Sequence, residues 1–171
     1  MAMMIGQGMG MLAVVLGFIS FQMRTQRQVL VAQTLTAITF CVHYGLIGAP
    51  AGLIMNALCI VRNLAYYHKD KPLFSGAKCP IFFAVLLCVL NTFSWQGYYS
   101  LFVVAGGVIN TLCMALNDPQ KIRKSILVSS PLVLAYDVFV LSVGGIIYES
   151  VVIVSSIIGI IRYRKDAAKA A

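Results

Sequence analysis

Seven apolar segments follow one another along this chain, separated by short polar connections. Each segment has 15 to 19 residues, close to the roughly 20 residues that an α-helix needs to cross a bilayer. The segments cover 5–21, 29–47, 51–67, 80–94, 99–116, 125–141 and 145–161. The pattern predicts an all-α membrane protein with seven transmembrane helices.

The basic residues lie at alternate connections between these segments. They follow the first, third, fifth and seventh segments, and the connections 48–50, 95–98 and 142–144 contain none. Because positively charged loops stay in the cytoplasm, this alternation predicts an N-terminus outside and a C-terminus inside. Arg62 lies within the third segment, and we expect its side chain to reach the cytoplasmic surface along its aliphatic part.

Composition agrees with a membrane-embedded chain. Hydrophobic residues make up 60% of the 171 residues, charged residues 11%, and the mean hydropathy is +0.90, whereas a soluble domain carries about 25% charged residues. The net charge of +8 does not indicate nucleic-acid binding, because the basic residues form no soluble basic face. The five cysteines are scattered, with no close pair at metal-ligand spacing. We interpret them as small apolar residues in helix packing. We predict no enzymatic activity, no cofactor and no metal site.

The second half of the chain repeats the polar pattern of the first. A shift of 93 positions places the second and third segments over the sixth and seventh without a gap. Polar interruptions then coincide, although residue identity is low. The coinciding pairs are Thr36 with Ser129, His43 with Tyr136, Tyr44 with Asp137, Asn56 with Glu149 and Asn63 with Ser156. This predicts two parallel triple-helix repeats, 1–78 and 96–171 with its short basic tail, joined by a linker helix at 79–95.

Two short stretches resemble the motif of PQ-loop and SWEET transporters. Asp118-Pro119-Gln120, followed by basic residues and Ser125, resembles the motif in the second repeat. Gln22 lies in a degenerate first copy that lacks the proline. The resemblance implies a SWEET-like 3+1+3 helix order with the substrate between the triplets. It also implies gating positions at Gln22, Asp118, Pro119 and Gln120, although Asp118 could instead cap the sixth helix.

A closer resemblance runs through two longer stretches, ISFQMRTQRQVLVAQ and HYGLIGAPAGLIMNALCIVRN. Both are similar to the bacterial YgjV inner-membrane family and cover most of the first triplet, while the second triplet matches more loosely. The resemblance implies a multi-pass protein of the bacterial inner membrane, with a periplasmic N-terminus and a cytoplasmic C-terminus. It implies no particular substrate.

A layer of polar side chains lies inside the apolar segments. Its four members, counted from the uncharged connections at 1.5 Å per residue, lie about 8–10 Å inside the outer boundary. They are His43, Asn56, Asp137 and Glu149, and Tyr136, Asn63 and Ser156 extend the layer along the helices. Polar groups in hydrocarbon are unfavourable unless they are paired or face a cavity, so these residues are candidates for solute or proton binding. The alternative is that they only hold the helices together.

The two carboxyl groups of this layer are its strongest functional candidates. Burial favours the neutral form of a carboxyl group, so Asp137 and Glu149 are predicted to exchange protons or to bind a cationic group of a solute. His43 can either titrate itself or pair with one of the carboxylates. In SWEET-like transporters an Asn of helix three and an Asn of helix seven contact the substrate. Asn56 fits the first position, whereas Glu149 or Ser150 would occupy the second, a departure that argues against a neutral sugar.

Two classes of function are compatible with these features. The first is a carrier that works by alternating access on a small polar or charged solute, with protons as a second partner and the lipid bilayer around it. The second is a non-transporting receptor or assembly protein on the same scaffold. The short loops favour the carrier. The pattern is compatible with a homo-oligomer and leaves the solute unspecified.

Overall fold

A computed structural model describes the backbone of residues 2–22, 26–68, 76, 78–115 and 119–170. It describes the side chains of these residues except those of 2, 20–22, 26, 29, 119–123 and 162–170. The described residues form seven α-helices: α1 (Ala2–Gln22), α2 (Gln26–Ile47), α3 (Pro50–Tyr67), α4 (Lys78–Phe93), α5 (Ser100–Met114), α6 (Pro119–Phe139) and α7 (Val143–Ala170). The prediction of an all-helical fold with seven helices is confirmed.

Two helices extend far beyond their apolar segments. α6 begins at Pro119, although its apolar segment starts at 125, and α7 continues to Ala170, although its apolar segment ends at 161. Proline is favourable at the first position of a helix, and the Arg, Lys and Ala residues after 161 are good helix formers. The apolar pattern therefore indicates where the apolar surface lies, whereas the helix ends follow backbone propensity.

Six of the helices form a ring. Neighbouring backbones pack in the order α1, α2, α3, α5, α6, α7 and back to α1, and α4 lies against α3 and α5. Among the described residues, close backbone contacts between α1–α3 and α5–α7 therefore lie at two seams, α1–α7 and α3–α5. Side chains of α2, α3, α6 and α7 meet at the centre of the ring.

The ring has an apolar exterior and polar side chains inside. Phe82 on α4 is 61% exposed, whereas His43 and Asp137 are 0% exposed. This is the reverse of a soluble protein and suits a hydrocarbon solvent. Within the described residues, Leu30–Ile47 and Val143–Ile161 are long and apolar enough to cross a membrane, and three shorter apolar helices accompany them.

The α2–α3 turn and the α6–α7 turn have the same backbone conformation. Gly48 has a φ of 74°, and Leu141, 93 positions later, has a φ of 54°. The flanking hydrogen bonds also correspond: Ala49 N to Tyr44 O (2.9 Å) and Leu53 N to Ala49 O (3.1 Å), then Ser142 N to Asp137 O (2.9 Å) and Ile146 N to Ser142 O (2.9 Å). A left-handed conformation disfavours leucine by about 1–2 kcal/mol, so helix packing must impose the turn at Leu141.

The α1–α7 seam depends on two glycines. A Cβ atom on Gly144 would lie 2.5 Å from the Cα and the carbonyl carbon of Gly10. Because these are backbone atoms, no flexible group can move aside. The seam closes the turn end of the ring, which we define as the end that holds the α2–α3 and α6–α7 turns. The α4–α5 connection lies at this end as well, since Gln96 Nε2 donates to Gly48 O at 3.0 Å.

Candidate functional site

Five buried side chains at the turn end form what we call the Asp137 cluster: His43, Tyr44, Tyr136, Asp137 and Ser142. Tyr44 Oη donates to Asp137 Oδ1 at 2.6 Å, which joins α2 to α6 across the ring. The second carboxyl oxygen, Asp137 Oδ2, is buried and has no hydrogen-bond partner. A buried carboxyl oxygen of this kind needs a proton, a water molecule or a cationic partner.

His43 connects three parts of the chain through its two ring nitrogens. Nδ1 contacts Gly6 O of α1 at 2.7 Å, and Nε2 contacts Ser142 Oγ at 2.7 Å. Because a carbonyl oxygen can only accept, Nδ1 carries the proton, and in the neutral ring Nε2 accepts from the Ser142 hydroxyl. Ser142 Oγ in turn accepts from the Gly145 N–H at 3.1 Å. Both partners of His43 are neutral. Because one lies on α1 and the other in the α6–α7 turn, these hydrogen bonds hold the turn end together.

Tyr136 has a similar connecting role. Its hydroxyl oxygen accepts from the Gly52 N–H at 2.9 Å. This N–H lies in the first turn of α3, where backbone donors have no partner within the helix. Asn56 Nδ2 donates to Gly52 O at 3.0 Å. Tyr136 therefore caps α3 and links α6 to it across the ring.

A polar cavity of about 100 Å³ lies inside the ring, beside the Asp137 cluster. Its lining includes Tyr44, Asp137, Asn56, Glu149 and Asn63. These side chains come from α2, α3, α6 and α7, so both halves of the chain contribute to it. At a share of about 30 Å³ for each water molecule, the cavity has room for a few. The structure thus brings four predicted residues, Asn56, Asn63, Asp137 and Glu149, to one cavity.

Arg62 lies inside the bundle, so the expectation that it reaches the cytoplasmic surface was wrong. It is 4% exposed. Its Nη1 donates to Thr111 Oγ1 at 3.1 Å and its Nη2 to Asn63 Oδ1 at 3.2 Å, while its Nε has no partner. We call Arg62, Asn63 and Thr111 the Arg62 site. The expectation failed because acceptors on α3 and α5 hold the guanidinium inside, and position along a segment does not reveal which neighbours a side chain meets.

A second cavity, of about 40 Å³, is lined by Arg62 and Thr111. Cys59, Asn110 and Glu149 line this cavity as well as the first one. The two cavities therefore adjoin, and together they extend from the Asp137 cluster to the Arg62 site. Glu149 lies at their boundary.

The remaining predicted residues do not line the cavities or lie outside the described side chains. His43 and Tyr136 belong to the Asp137 cluster, and Ser156 is buried at 6% exposure without lining either cavity. Gln22, Pro119 and Gln120 lie at helix ends whose side chains are not described, and Asp118 lies outside the described residues.

Sequence reasoning missed several residues of this site, among them Tyr44 and Arg62. Tyr44 coincides with Asp137 under the 93-residue shift, and these two side chains bond to each other. The internal alignment at this shift therefore contained a signal that could have identified Tyr44 as a residue of the site. Arg62 also stood out as a charge within an apolar segment, but the positive-inside pattern assigned it to the membrane surface.

The described residues contain no group of three or more His, Cys, Asp or Glu side chains that could hold a metal ion.

Comparison with known proteins supports one of the expected resemblances. The family model Imp-YgjV, described as bacterial inner membrane protein, matches residues 4–167, which include residues of all seven helices. No curated protein and no solved structure matches the chain. The resemblance to SWEET and PQ-loop transporters stays a prediction. The expected YgjV resemblance and the inner-membrane assignment are confirmed, and the chain belongs to this family of bacterial inner membrane proteins.

Proposed function

We propose that this protein is a carrier for a small polar or charged solute in the bacterial inner membrane. All seven helices span the bilayer, with a periplasmic N-terminus and a cytoplasmic C-terminus, so the turn end faces the periplasm. Two bundles, α1–α3 and α5–α7, are linked by α4 and move against each other. Their movement opens the central cavity to one side at a time.

The observation that carries this proposal is the cavity that both bundles line with carboxyl and amide groups. If Asp137 served only to hold helices together, both of its oxygens would be paired with neighbouring helices. Instead Asp137 Oδ2 has no partner. Glu149 interacts with Ser130 of α6 and lines both cavities. Carboxyl groups inside a membrane protein commonly mark proton or substrate paths. Proton coupling through Asp137, Glu149 or both is part of the proposal.

The symmetry of the contacts supports two parallel repeats. The two turns correspond at a spacing of 93 positions, and Tyr44 and Asp137, which bond to each other, have the same spacing. In the ring, α1 packs on α7 as α5 packs on α3. A SWEET-like arrangement would produce these correspondences. In that arrangement the PQ-like residues Gln22, Asp118, Pro119 and Gln120 are gating positions near the cytoplasm.

Accessibility of the native Cys59 distinguishes a carrier from a receptor without knowledge of the solute. Cys59 lines both cavities. In a variant that keeps only this cysteine, a membrane-impermeant thiol reagent is applied to right-side-out and to inverted vesicles. A carrier should be labelled from both sides, because its cavity alternates. Labelling from one side alone would favour a receptor or assembly protein.

Substitution of the carboxyl groups tests their role in transport. A thermal-shift screen of metabolites at two pH values identifies a ligand, and uptake of that ligand is then measured in proteoliposomes. Asp137→Asn and Glu149→Gln should abolish uptake or its dependence on a proton gradient. Asp166→Asn is the matched control, since it makes the same change beyond the apolar segment of α7. Unchanged uptake in both cavity variants would remove these carboxyl groups from the mechanism.

A further inference from the structure

Arg62 is a buried guanidinium group with unused hydrogen-bonding capacity. A guanidinium has five N–H donors. Two of its nitrogens contact Thr111 and Asn63, and Nε has no partner. Both acceptors are neutral, and within the part of the chain that the structure describes Arg62 forms no ion pair. A buried charge without a counter-charge is strongly unfavourable, which suits a site where a ligand supplies the counter-charge.

We propose that the Arg62 site binds a carboxylate group of the transported solute, an inference that rests on the proposed function. Arg62 lines the second cavity, so an anion in that cavity meets the guanidinium directly. Asn110 and Thr111 of α5 line the same cavity and offer further donors. The planar fork of a guanidinium matches the two oxygens of a carboxylate.

Two features favour a carboxylate monoanion over phosphate or another dianion. The second cavity measures about 40 Å³, which suits a small planar group. Among the described residues that line this cavity, Arg62 is the one basic side chain, so the site offers a single positive charge, which matches a monoanion better than a dianion. The rest of the solute lies in the first cavity, which shares Cys59, Asn110 and Glu149 with the second.

The site is tested by ligand-induced stabilisation of the full chain in detergent. Sodium acetate and sodium propionate serve as carboxylate probes, and acetamide and propionamide serve as neutral probes of the same shape. Sodium chloride keeps the ionic strength constant. Both carboxylates should raise the melting temperature in a saturable manner, and both amides should leave it unchanged. A larger stabilisation by sodium phosphate would contradict the preference for a carboxylate.

Variants at Arg62 assign the effect to this side chain. Arg62→Gln should abolish the shift produced by acetate. Arg62→Lys should weaken acetate binding about tenfold, because an ammonium group keeps the charge but loses the fork. Arg27→Gln is the matched control, since Arg27 is an exposed arginine on α2. If Arg62→Gln does not fold, the Arg62→Lys variant serves as the test of acetate binding. Unchanged acetate affinity in that variant would overturn the proposal.

Uptake measurements separate this inference from the proposed function. If carboxylates stabilise the protein but no carboxylate solute enters proteoliposomes, the anion site stands and the carrier function fails. If a neutral or cationic solute is transported and carboxylates neither bind nor compete, the carrier function stands and the Arg62 proposal is wrong.

Discussion

Asp137 and Arg62 are both buried inside the bundle, but their hydrogen bonds run in different directions. In the Asp137 cluster, bonds cross the centre of the ring, from Tyr44 to Asp137 and from Gly52 to Tyr136. At the Arg62 site, bonds run along the α3–α5 seam, where Arg62 donates to the Thr111 hydroxyl and Tyr66 Oη donates to Thr111 O at 3.2 Å. The hydrogen bonds of the Asp137 cluster close the ring at the turn end. The hydrogen bonds at the Arg62 site leave a cavity beside the guanidinium.

This difference shows that a polar group inside a membrane bundle can either hold the bundle closed or bind a ligand, depending on where its hydrogen-bonding partners lie. Bonds across the ring close its turn end, so their loss should destabilise the fold. A charge that lacks a counter-charge in the folded chain should contribute little to stability and more to binding. Five substitutions test this contrast, and the stability changes refer to unfolding of the purified protein in detergent.

The largest effect is expected where α1 meets α7 at the turn end. Gly144→Ala places a methyl group 2.5 Å from backbone atoms of Gly10, and overpacking of this kind destabilises by about 3 kcal/mol. Denaturant-induced unfolding measures the change. Gly8→Ala is the matched control in α1, because a Cβ there meets nothing within 4 Å. Equal stability of the two variants would show that the seam does not close the ring.

Loss of the Tyr44 hydroxyl should open the Asp137 cluster. Tyr44→Phe removes the hydrogen bond to Asp137 Oδ1, and the loss of a partner for a buried polar group lowers the free energy of unfolding by about 2 kcal/mol. Cys59 should also become more accessible from the turn end. Tyr98→Phe, at a tyrosine that is 65% exposed, is the control and should change neither property. A Tyr44→Phe variant as stable as the parent would mean that this bond does not contribute to closure.

Arg62 should behave in the opposite way. Arg62→Met removes a buried charge and keeps a long side chain, so the free energy of unfolding should stay the same or rise by about 1 kcal/mol. The stabilisation by acetate should disappear in the same variant. Arg27→Met controls for removal of an arginine elsewhere. A large loss of stability at position 62 would assign Arg62 a structural role and erase the contrast with Asp137.

The smallest effects are expected at the two corresponding turns. Gly48→Ala should destabilise by about 1 kcal/mol, because alanine disfavours the positive φ of this position. Leu141→Gly should be neutral or stabilise by less than about 1 kcal/mol, since relief of strain is opposed by the extra entropy of unfolded glycine. Thermal unfolding measures both. Destabilisation by Leu141→Gly would show that the leucine side chain, although it is 63% exposed, matters more than its backbone strain.

Much of the fold could be predicted from the spacing of apolar residues. All seven helices lie where apolar segments were predicted, and the ends differ most at α6 and α7, because propensity extends a helix past its apolar part. The 93-residue correspondence also placed Tyr44 opposite Asp137, two residues that bond in the structure. Within the predicted polar layer, Asn56, Asn63, Asp137 and Glu149 share a cavity, whereas His43 and Tyr136 contact backbone and hydroxyl groups around it.

The sequence by itself determined the helices, the family and the apolar outer surface, because hydrophobicity along a helix is a local property that shows at each residue. Only the tertiary structure decided what each polar group does. His43 bonds to groups 37 and 99 positions away, and Arg62 bonds to Thr111, 49 positions away. Whether a buried polar side chain closes the bundle or lines its cavity depends on such distant partners, and no local pattern specifies them.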